Sequence, residues 1–448
     1  MMATASTCAA SPSSPMTAAD IACRHIVELL SKSTTTTTTT ARRPLIVGIQ
    51  GPQGIGKSTL VRNLVDRLSS HSSSKEEEGG IRAAALSIDD LYLPHTALLE
   101  LERAHPANAL LHGRGLPGTH DVALGERILR QIKGKAKAAA DEDQLEGSSS
   151  MLKLPAYDKS LHDGAGDRLP EEEWPSLDLG QPFSPRSKSS SSLGKNSSAS
   201  NDDDVPAPLD VFLLEGWSLG FRSLPDELIK QHYQEAQAIA ATAARRRRAD
   251  RDDDIKEEEE ECAREPLHFA LQHPLASLLE LNADLRNYER TWYPYIDAFI
   301  QLLPASRPQQ AAGPNPDPDP GSAPTATSRS EEEKADEEEE QRSASTYAHL
   351  DAFPPYAKQL VFLWRLQAEH TMKARSSHGR GMSDEQVHAF VARYMPAYEL
   401  FARGRLGLDD KTREDKLSQK LRREEEEEQP ALCIELDEQR AVVRHYTI

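Results

Sequence analysis

An α/β fold is what the sequence predicts: a three-layer sandwich in which a mostly parallel sheet carries helices on both faces. Two observations lead to it. Apolar runs rich in β-branched or bulky residues, RPLIVGIQ (43–50) and DVFLLEGW (210–217), have the composition of strands buried on both faces. Between them lie longer stretches whose apolar residues recur at helical spacing, and strands alternating with helices assemble into a parallel sheet.

In chain order, TAADIACRHIVELLSK (17–32) spaces Ile21, Ile26, Val27 and Leu30 on one helical face, with Thr17 placed to cap it. RPLIVGIQ follows as the first strand, and LVRNLVDRLSSH (60–71) as a helix. IRAAALSIDD (81–90) reads as the second strand, DVALGERILRQIKGK (121–135) as a helix, and DVFLLEGW as a third strand ending in a carboxylate. NADLRNYERTWYPYIDAFIQLLP (282–304) reads as a helix running into a fourth strand, and two more helices are predicted over 356–374 and 383–404. ALCIELDEQRAVVRHY (431–446) alternates on both sides of Asp437-Glu438, the pattern of a terminal hairpin.

Not all of the 448 residues belong to that core. Thr34–Thr40 is unbroken threonine, residues 187–200 are mostly serine, and Glu257–Glu261 and Glu424–Glu428 are pure glutamate. Such segments bury too little apolar surface to offset the entropy of ordering them. Disordered polar inserts are therefore expected at about 136–150, 184–206, 238–264, 305–345 and 409–429, with a disordered N-terminus over 1–16. The remainder of 17–448, roughly 280 to 310 residues, has the size of one large α/β domain.

The formal net charge of −19 excludes a general nucleic-acid binder, which needs a basic surface to displace counterions. The basic cluster Arg245–Arg248 runs straight into an Asp/Glu block, so it reads as a solvated insert, with a nuclear address as the other reading. Cys8, Cys23, Cys262 and Cys433 form no short-spaced pair, which fits a reducing compartment without a zinc or disulfide framework. No apolar run approaches a membrane span, and the first 20 residues lack Arg and Lys, so a cytoplasmic protein is expected.

The chemistry begins where the first strand stops. Gly51-Pro52-Gln53-Gly54-Ile55-Gly56-Lys57-Ser58, followed by Thr59, fits the P-loop pattern G-x-x-x-x-G-K-[ST] between a strand and a helix. Glycines let successive amides turn inward as a nest for phosphate oxygens, and the helix adds its positive end. Lys57 can reach the outer phosphates of a nucleotide, and the Ser58 hydroxyl can ligate Mg²⁺. The second strand ends at Asp89 and Asp90, where a carboxylate can take a proton from an attacking hydroxyl; an Asp-rich turn closing the strand is the plainer reading. Glu215 ends the third strand, suited to contacts around Mg²⁺ or to capping the next helix. No guanine-reading N-K-x-D string occurs, which favours ATP over GTP.

GPQGIGKSTL, SIDDLYLPH, NALLHGRGLPGTHDVALG, LPAYDKSLHDGAGDR, LLEGWSLGF, YERTWYPYIDAFIQL, WRLQAEHTM and GMSDEQVHAFVARYMPAYELF occur together and in this order. Over about residues 20 to 448 the chain thereby resembles the P-loop kinases related to plant-type D-glycerate 3-kinase and its fungal ATP-binding homologues, within the phosphoribulokinase/uridine kinase-like class. The resemblance implies ATP and Mg²⁺ at Gly51–Thr59, with Ser58 and Glu215 on the metal side. It implies Asp89 as general base with Asp90 beside it, and Lys57 and a lid-helix arginine, Arg365, bracing the transferring phosphoryl group. Arg114, His120 and Asp121 would frame the acceptor from one segment, and Tyr157, Asp158, Lys159 and Arg168 from another.

A small anionic acceptor fits those residue types. Glycerate has one carboxylate and two hydroxyls, so its site needs a cation and a base, and Arg114, Lys159 and Arg168 are the cations available. Each could equally be a surface salt bridge. Trp217 and Trp364 read as core. The expected activity is ATP-dependent phosphorylation of D-glycerate to 3-phosphoglycerate. Another acceptor (pantothenate, a nucleoside, a sugar phosphate) or an ATP-binding regulatory protein without turnover are the alternatives.

Overall fold

The computed structural model describes residues 16–36, 43–71, 80–134, 151–180, 208–249, 266–305, 353, 355–375, 381–402 and 429–448. The inserts expected at 136–150 and 184–206, and nearly all of those at 305–345 and 409–429, lie outside the described residues. α1 (Ala18–Thr36) is capped as expected: the Thr17 hydroxyl accepts from the Asp20 amide at 3.2 Å, and the Asp20 carboxylate accepts from the Thr17 amide at 2.9 Å. β1 (Leu45–Gln50) leads into α2 (Lys57–Ser69), and β2 (Ala83–Ser87) into a 3₁₀ turn over Ile88–Leu91, followed by α3 (His95–Ala104) and α4 (Val122–Ile132). β3 (Met151–Lys153), β4 (Tyr157–Asp158), β5 (Asp167–Arg168) and β6 (Ser176–Asp178) make two small antiparallel ribbons, β4–β5 nested within β3–β6. Then come β7 (Val211–Gly216), α5 (Asp226–Ala249), α6 (Leu275–Thr291) and β8 (Ala298–Pro304). α7 (Pro355–Arg375), α8 (Asp384–Ala392), α9 (Met395–Phe401), β9 (Ala431–Leu436) and β10 (Val442–Thr447) complete the order.

Six strands form the central sheet in the order β10-β9-β8-β1-β7-β2, all parallel except the β9–β10 hairpin at one edge. Alternation along the strands sorts the side chains onto two faces. Val47, Ile49, Val211, Leu213, Ile300 and Leu302 pack against α1, α2 and α7, through Ile26, Leu64, Leu360 and Trp364 among others. Ile46, Phe212, Leu214 and Phe299 pack on the opposite face against α4 and α6, through Ile128, Leu129, Tyr288 and Trp292. These two apolar layers, each buried against helices, give the expected three-layer sandwich. A third cluster joins α5 to α9 with Trp217 and Phe221 beyond the strand ends. Trp217 and Trp364 are both buried. No helix among the described residues is long and apolar enough to cross a membrane.

Several boundaries differ from the sequence expectation. The 383–404 helix breaks at Arg393–Tyr394, because Pro396 enters at the start of α9 without an amide to continue the ladder from α8. The second strand ends at Ser87, so Asp89 and Asp90 stand on a 3₁₀ turn in which the Asp89 amide donates to the Ser87 hydroxyl. α5 runs to Ala249, so the first part of the insert expected at 238–264 is helical and the rest lies outside the described residues. α3 and the two ribbons had no clear periodic signal.

α7 and α9 are tied by a buried ion pair, Lys358 Nζ to Glu399 Oε1 at 2.6 Å, with side chains 4% and 0% exposed. Glu399 also accepts from the amides of Phe269 and Ala270. Lys358→Met strands that carboxylate in the core, and a loss of about 3–5 kcal/mol is expected. Urea unfolding of variant and wild type measures it; a loss below about 1 kcal/mol would show the pair to be dispensable.

Candidate active site

β1 and α2 are joined by a turn with little room to be anything else. Gly54 (φ 78°) and Gly56 (φ 110°) occupy left-handed backbone, and a Cβ on Gly54 would lie 2.5 Å from the Trp364 carbonyl carbon in α7. Gly56 is the N-cap of α2 and supplies no side-chain acceptor, so the amides of the first turn stay open to an anion. Behind the turn, the Gln53 amide donates to Tyr398 Oη at 3.2 Å, and Arg440 Nε donates to the Gly54 carbonyl at 2.9 Å. An open cleft of about 1330 Å³ runs past Gly54, Lys57 and Thr59 to Asn63, Gln367 and Arg440.

Lys57 Nζ folds back on its own loop, donating to the carbonyls of Gly51 (2.7 Å) and Pro52 (3.1 Å). Burial pulls its pKa below the ordinary lysine value, against the opposing pull of Glu215 and Asp89. The Ser58 hydroxyl donates to Glu215 Oε1 at 2.7 Å. This hydroxyl–carboxylate pair suits Mg²⁺, a hard cation that takes few protein oxygens and keeps waters and phosphate oxygens for the rest. Parallel register explains the pair: β7 lies between β1 and β2, setting Glu215 beside Ile49 on one side and Ser87 on the other. Strand ends of an open α/β sheet are where ligands bind.

Asp89 leaves β2 two residues past Ser87. Its Oδ1 accepts from Tyr92 Oη at 2.9 Å and its Oδ2 from Lys159 Nζ at 2.5 Å. Burial pushes this carboxyl up, but Lys159, then His120 and the Tyr92 hydroxyl, outweigh it and hold it below the usual aspartate value. Asp90 goes the other way. Burial raises it to about 6, assisted by the Asp89 charge, although its Oδ1 accepts the Tyr157 amide at 3.2 Å.

The two loops expected to frame an acceptor meet over these carboxylates. Arg114 donates to the Gly164 carbonyl at 2.8 Å and to that of Ala165, and its guanidinium stands 5.8 Å from the Tyr157 ring centre. Asp158 turns outward to cap Ser160. Other expected residues have different occupations. Arg168 donates to Asp121 Oδ2 (2.9 Å) and to the Tyr92 carbonyl, while Asp121 Oδ1 caps α4 by accepting the Leu124 amide. That is a clip between scaffold elements rather than an acceptor contact. His120 lies beneath Tyr92, stacked at 4.4 Å with Nδ1 2.6 Å from Tyr288 Oη, and burial lowers it to about 4, leaving it neutral. Arg365 pairs with Glu369 one turn along α7 (2.8 Å) and covers Phe390, so α7 presents backbone to the phosphate loop, not this guanidinium.

Some residues of the site escaped the sequence reading. Tyr92 lies three residues after Asp89, and that spacing in a 3₁₀ turn was the one available signal. Tyr394, buried against Trp217 and beside Gly115, walls the acceptor side, while Tyr398 and Arg440 clasp the phosphate loop. These come from far along the chain, and no local pattern marks them.

No protein-family model matches the chain. Its relatives include the chloroplastic D-glycerate 3-kinase of Arabidopsis thaliana, 28% identical over 371 residues, a match covering 82% of this chain and half of the plant protein. Another is the Saccharomyces cerevisiae protein called probable ATP-dependent kinase TDA10, 27% identical over 359 residues and covering 80% of this chain and 78% of that one. Among solved structures, D-glycerate 3-kinase from Cryptococcus neoformans superposes with a TM-score of 0.58 at 26% identity, over 96% of this chain and 99% of that one. By sequence and fold together, the chain is similar to D-glycerate 3-kinase and to the fungal ATP-dependent kinases, and it carries their mostly parallel sheet with a P-loop turn at its first strand end.

Proposed function

We propose that this protein is an ATP-dependent kinase that transfers the γ-phosphoryl group to a hydroxyl of a small hydroxy acid, D-glycerate giving 3-phosphoglycerate. The observation that carries the proposal is the convergence of the phosphate-loop turn, Glu215 and Asp89 on one set of strand ends: β7 sets Glu215 between β1 and β2 and against the Ser58 hydroxyl, and Asp89 follows directly on β2. Relatives named as D-glycerate 3-kinases support the acceptor.

In this reading the open amides of α2 and the Gly54–Ser58 backbone hold the triphosphate, and Lys57 swings from the Gly51 and Pro52 carbonyls to phosphate oxygens. Ser58 and Glu215 would hold Mg²⁺, which would supply charge neutralisation at the phosphate oxygens. Asp89 takes the proton of the acceptor hydroxyl as its oxygen bonds to the γ-phosphorus, and the bond to the β-phosphate oxygen breaks to release ADP. Tyr92 holds the other Asp89 oxygen, fixing the direction of the base.

Transfer of labelled γ-phosphate to D-glycerate tests the assignment directly; no product with D-glycerate would remove it. Asp89→Asn is expected to cut transfer by about 10²–10⁴-fold while ATP affinity stays within about threefold. Equal loss of both would reassign Asp89 to nucleotide binding.

Gly54→Ala is expected to weaken ATP binding by about tenfold or more. The left-handed backbone alone costs an alanine roughly 1–2 kcal/mol, and α7 must also move to admit the methyl group. Calorimetric titration with ATP reads this, and unchanged affinity would separate the turn from nucleotide binding.

A further inference from the structure

Three cations stand in the loops over Asp89, and two are already committed. Arg114 holds the carbonyls of Gly164 and Ala165, and Arg168 is clipped to Asp121 and to the Tyr92 carbonyl. Lys159 is different. Its ammonium binds the base itself, at 2.5 Å from Asp89 Oδ2, while its side chain remains 54% exposed.

We propose that Lys159 is a specificity-determining latch: it neutralises Asp89 until an acceptor carboxylate draws it away, so that only anionic hydroxy acids arm the base. The proposal rests on the kinase reading given above. The two Asp89 oxygens have separate partners, Tyr92 on Oδ1 and Lys159 on Oδ2. Tyr92 is 3% exposed and belongs to the same turn, so Oδ1 stays occupied. Oδ2 is therefore the oxygen available to a hydroxyl proton, and in this structure an ammonium sits on it. A carboxylate so paired is a poorer base, and the ammonium also fills the approach to it.

Lysine suits such a role. Its charge sits on a flexible four-carbon stem with three rotatable donors, and a half-exposed ion pair is easily exchanged for another. The loop beneath it is held in place. His162 and Asp163 take left-handed backbone (φ 51° and 56°), and Arg114 grips the two carbonyls that follow Asp163, so the side chain can turn while the β4–β5 ribbon stays. An acceptor carboxylate offers Lys159 a replacement counter-ion as its hydroxyl reaches Oδ2. Water and neutral alcohols offer none, and Asp89 remains paired. The latch thus suppresses ATP hydrolysis and selects acids with one exchange of partners.

The test compares wild type, Lys159→Met and Lys159→Arg with ATP and Mg²⁺ on D-glycerate, on its neutral amide glyceramide, and with no acceptor. Wild type is expected to favour glycerate over glyceramide by about 100-fold or more in kcat/KM, and Lys159→Met to reduce that preference below about tenfold. Lys159→Met should also raise acceptor-free ADP release severalfold, and Lys159→Arg should restore both the preference and the low background. A Lys159→Met enzyme that keeps full preference for the acid, or releases ADP no faster than wild type, overturns the latch. If wild type phosphorylates neither compound, the glycerate reading fails by itself, and acceptor-free ADP release still decides the latch. An ATP-induced thermal shift in each variant verifies that it is folded.

Discussion

The back of the Gly51–Ser58 turn is packed so tightly that only one side of it can face a ligand. The backbone of α7 crosses Gly54 where a Cβ would stand, the Gln53 amide is tied to Tyr398, and the Gly54 carbonyl to Arg440. α7 and α9 are themselves joined by the buried Lys358–Glu399 pair. A nucleotide-type turn written near residue 50 is thus held in shape by residues beyond 350. Because Gly56 brings no side-chain acceptor to the start of α2, an incoming phosphate meets open amides there.

The same packing decides where chemistry can occur. With β7 inserted between β1 and β2, three neighbouring strand ends deliver the phosphate loop, Glu215 and Asp89 to one mouth. Glu215 reaches the Ser58 hydroxyl from the middle strand, and Asp89 rises on its 3₁₀ turn toward the loops that carry Arg114 and Lys159. A nucleotide would lie along the cleft by Asn63 and Gln367, and an acceptor would have to reach Asp89 from the side of the Arg114 and Lys159 loops. In-line transfer demands such an arrangement, because attacking and leaving oxygens must lie on opposite sides of phosphorus.

What the sequence revealed and what it concealed follow from the range of the interactions. The strand–turn–helix around Lys57 was legible because its glycines, lysine and serine act within eight residues of one another. Buried strands were legible by composition, and the break at Pro396 is a local rule that a longer helical pattern masked. Partners were not legible. Arg168 carries the charge an acceptor site needs, yet its guanidinium is spent on Asp121 and a backbone carbonyl, a choice fixed by how β5 sits under Tyr92. Arg365 likewise lies on the helix that covers the phosphate loop, but one helical turn separates it from Glu369, and that nearer partner wins.

The charge balance of the mouth explains why a divalent ion and a lysine would both be wanted there. Asp89, Asp90 and Glu215 confront Lys57, Lys159 and Arg114, so the site holds no surplus of positive charge before any phosphate arrives. Asp90 is raised to about 6, by burial first and by the Asp89 charge after it, so it begins to take up a proton only below neutrality. A triphosphate adds several negative charges to the same space, which the end of α2 and one ammonium only partly offset. Mg²⁺ held by the Ser58–Glu215 pair would supply the remainder on the nucleotide side. On the acceptor side, drawing Lys159 from Asp89 toward a substrate carboxylate would leave Asp89 with more negative charge to share with a proton. Binding an anion in this site and making its base stronger would then be the same electrostatic event.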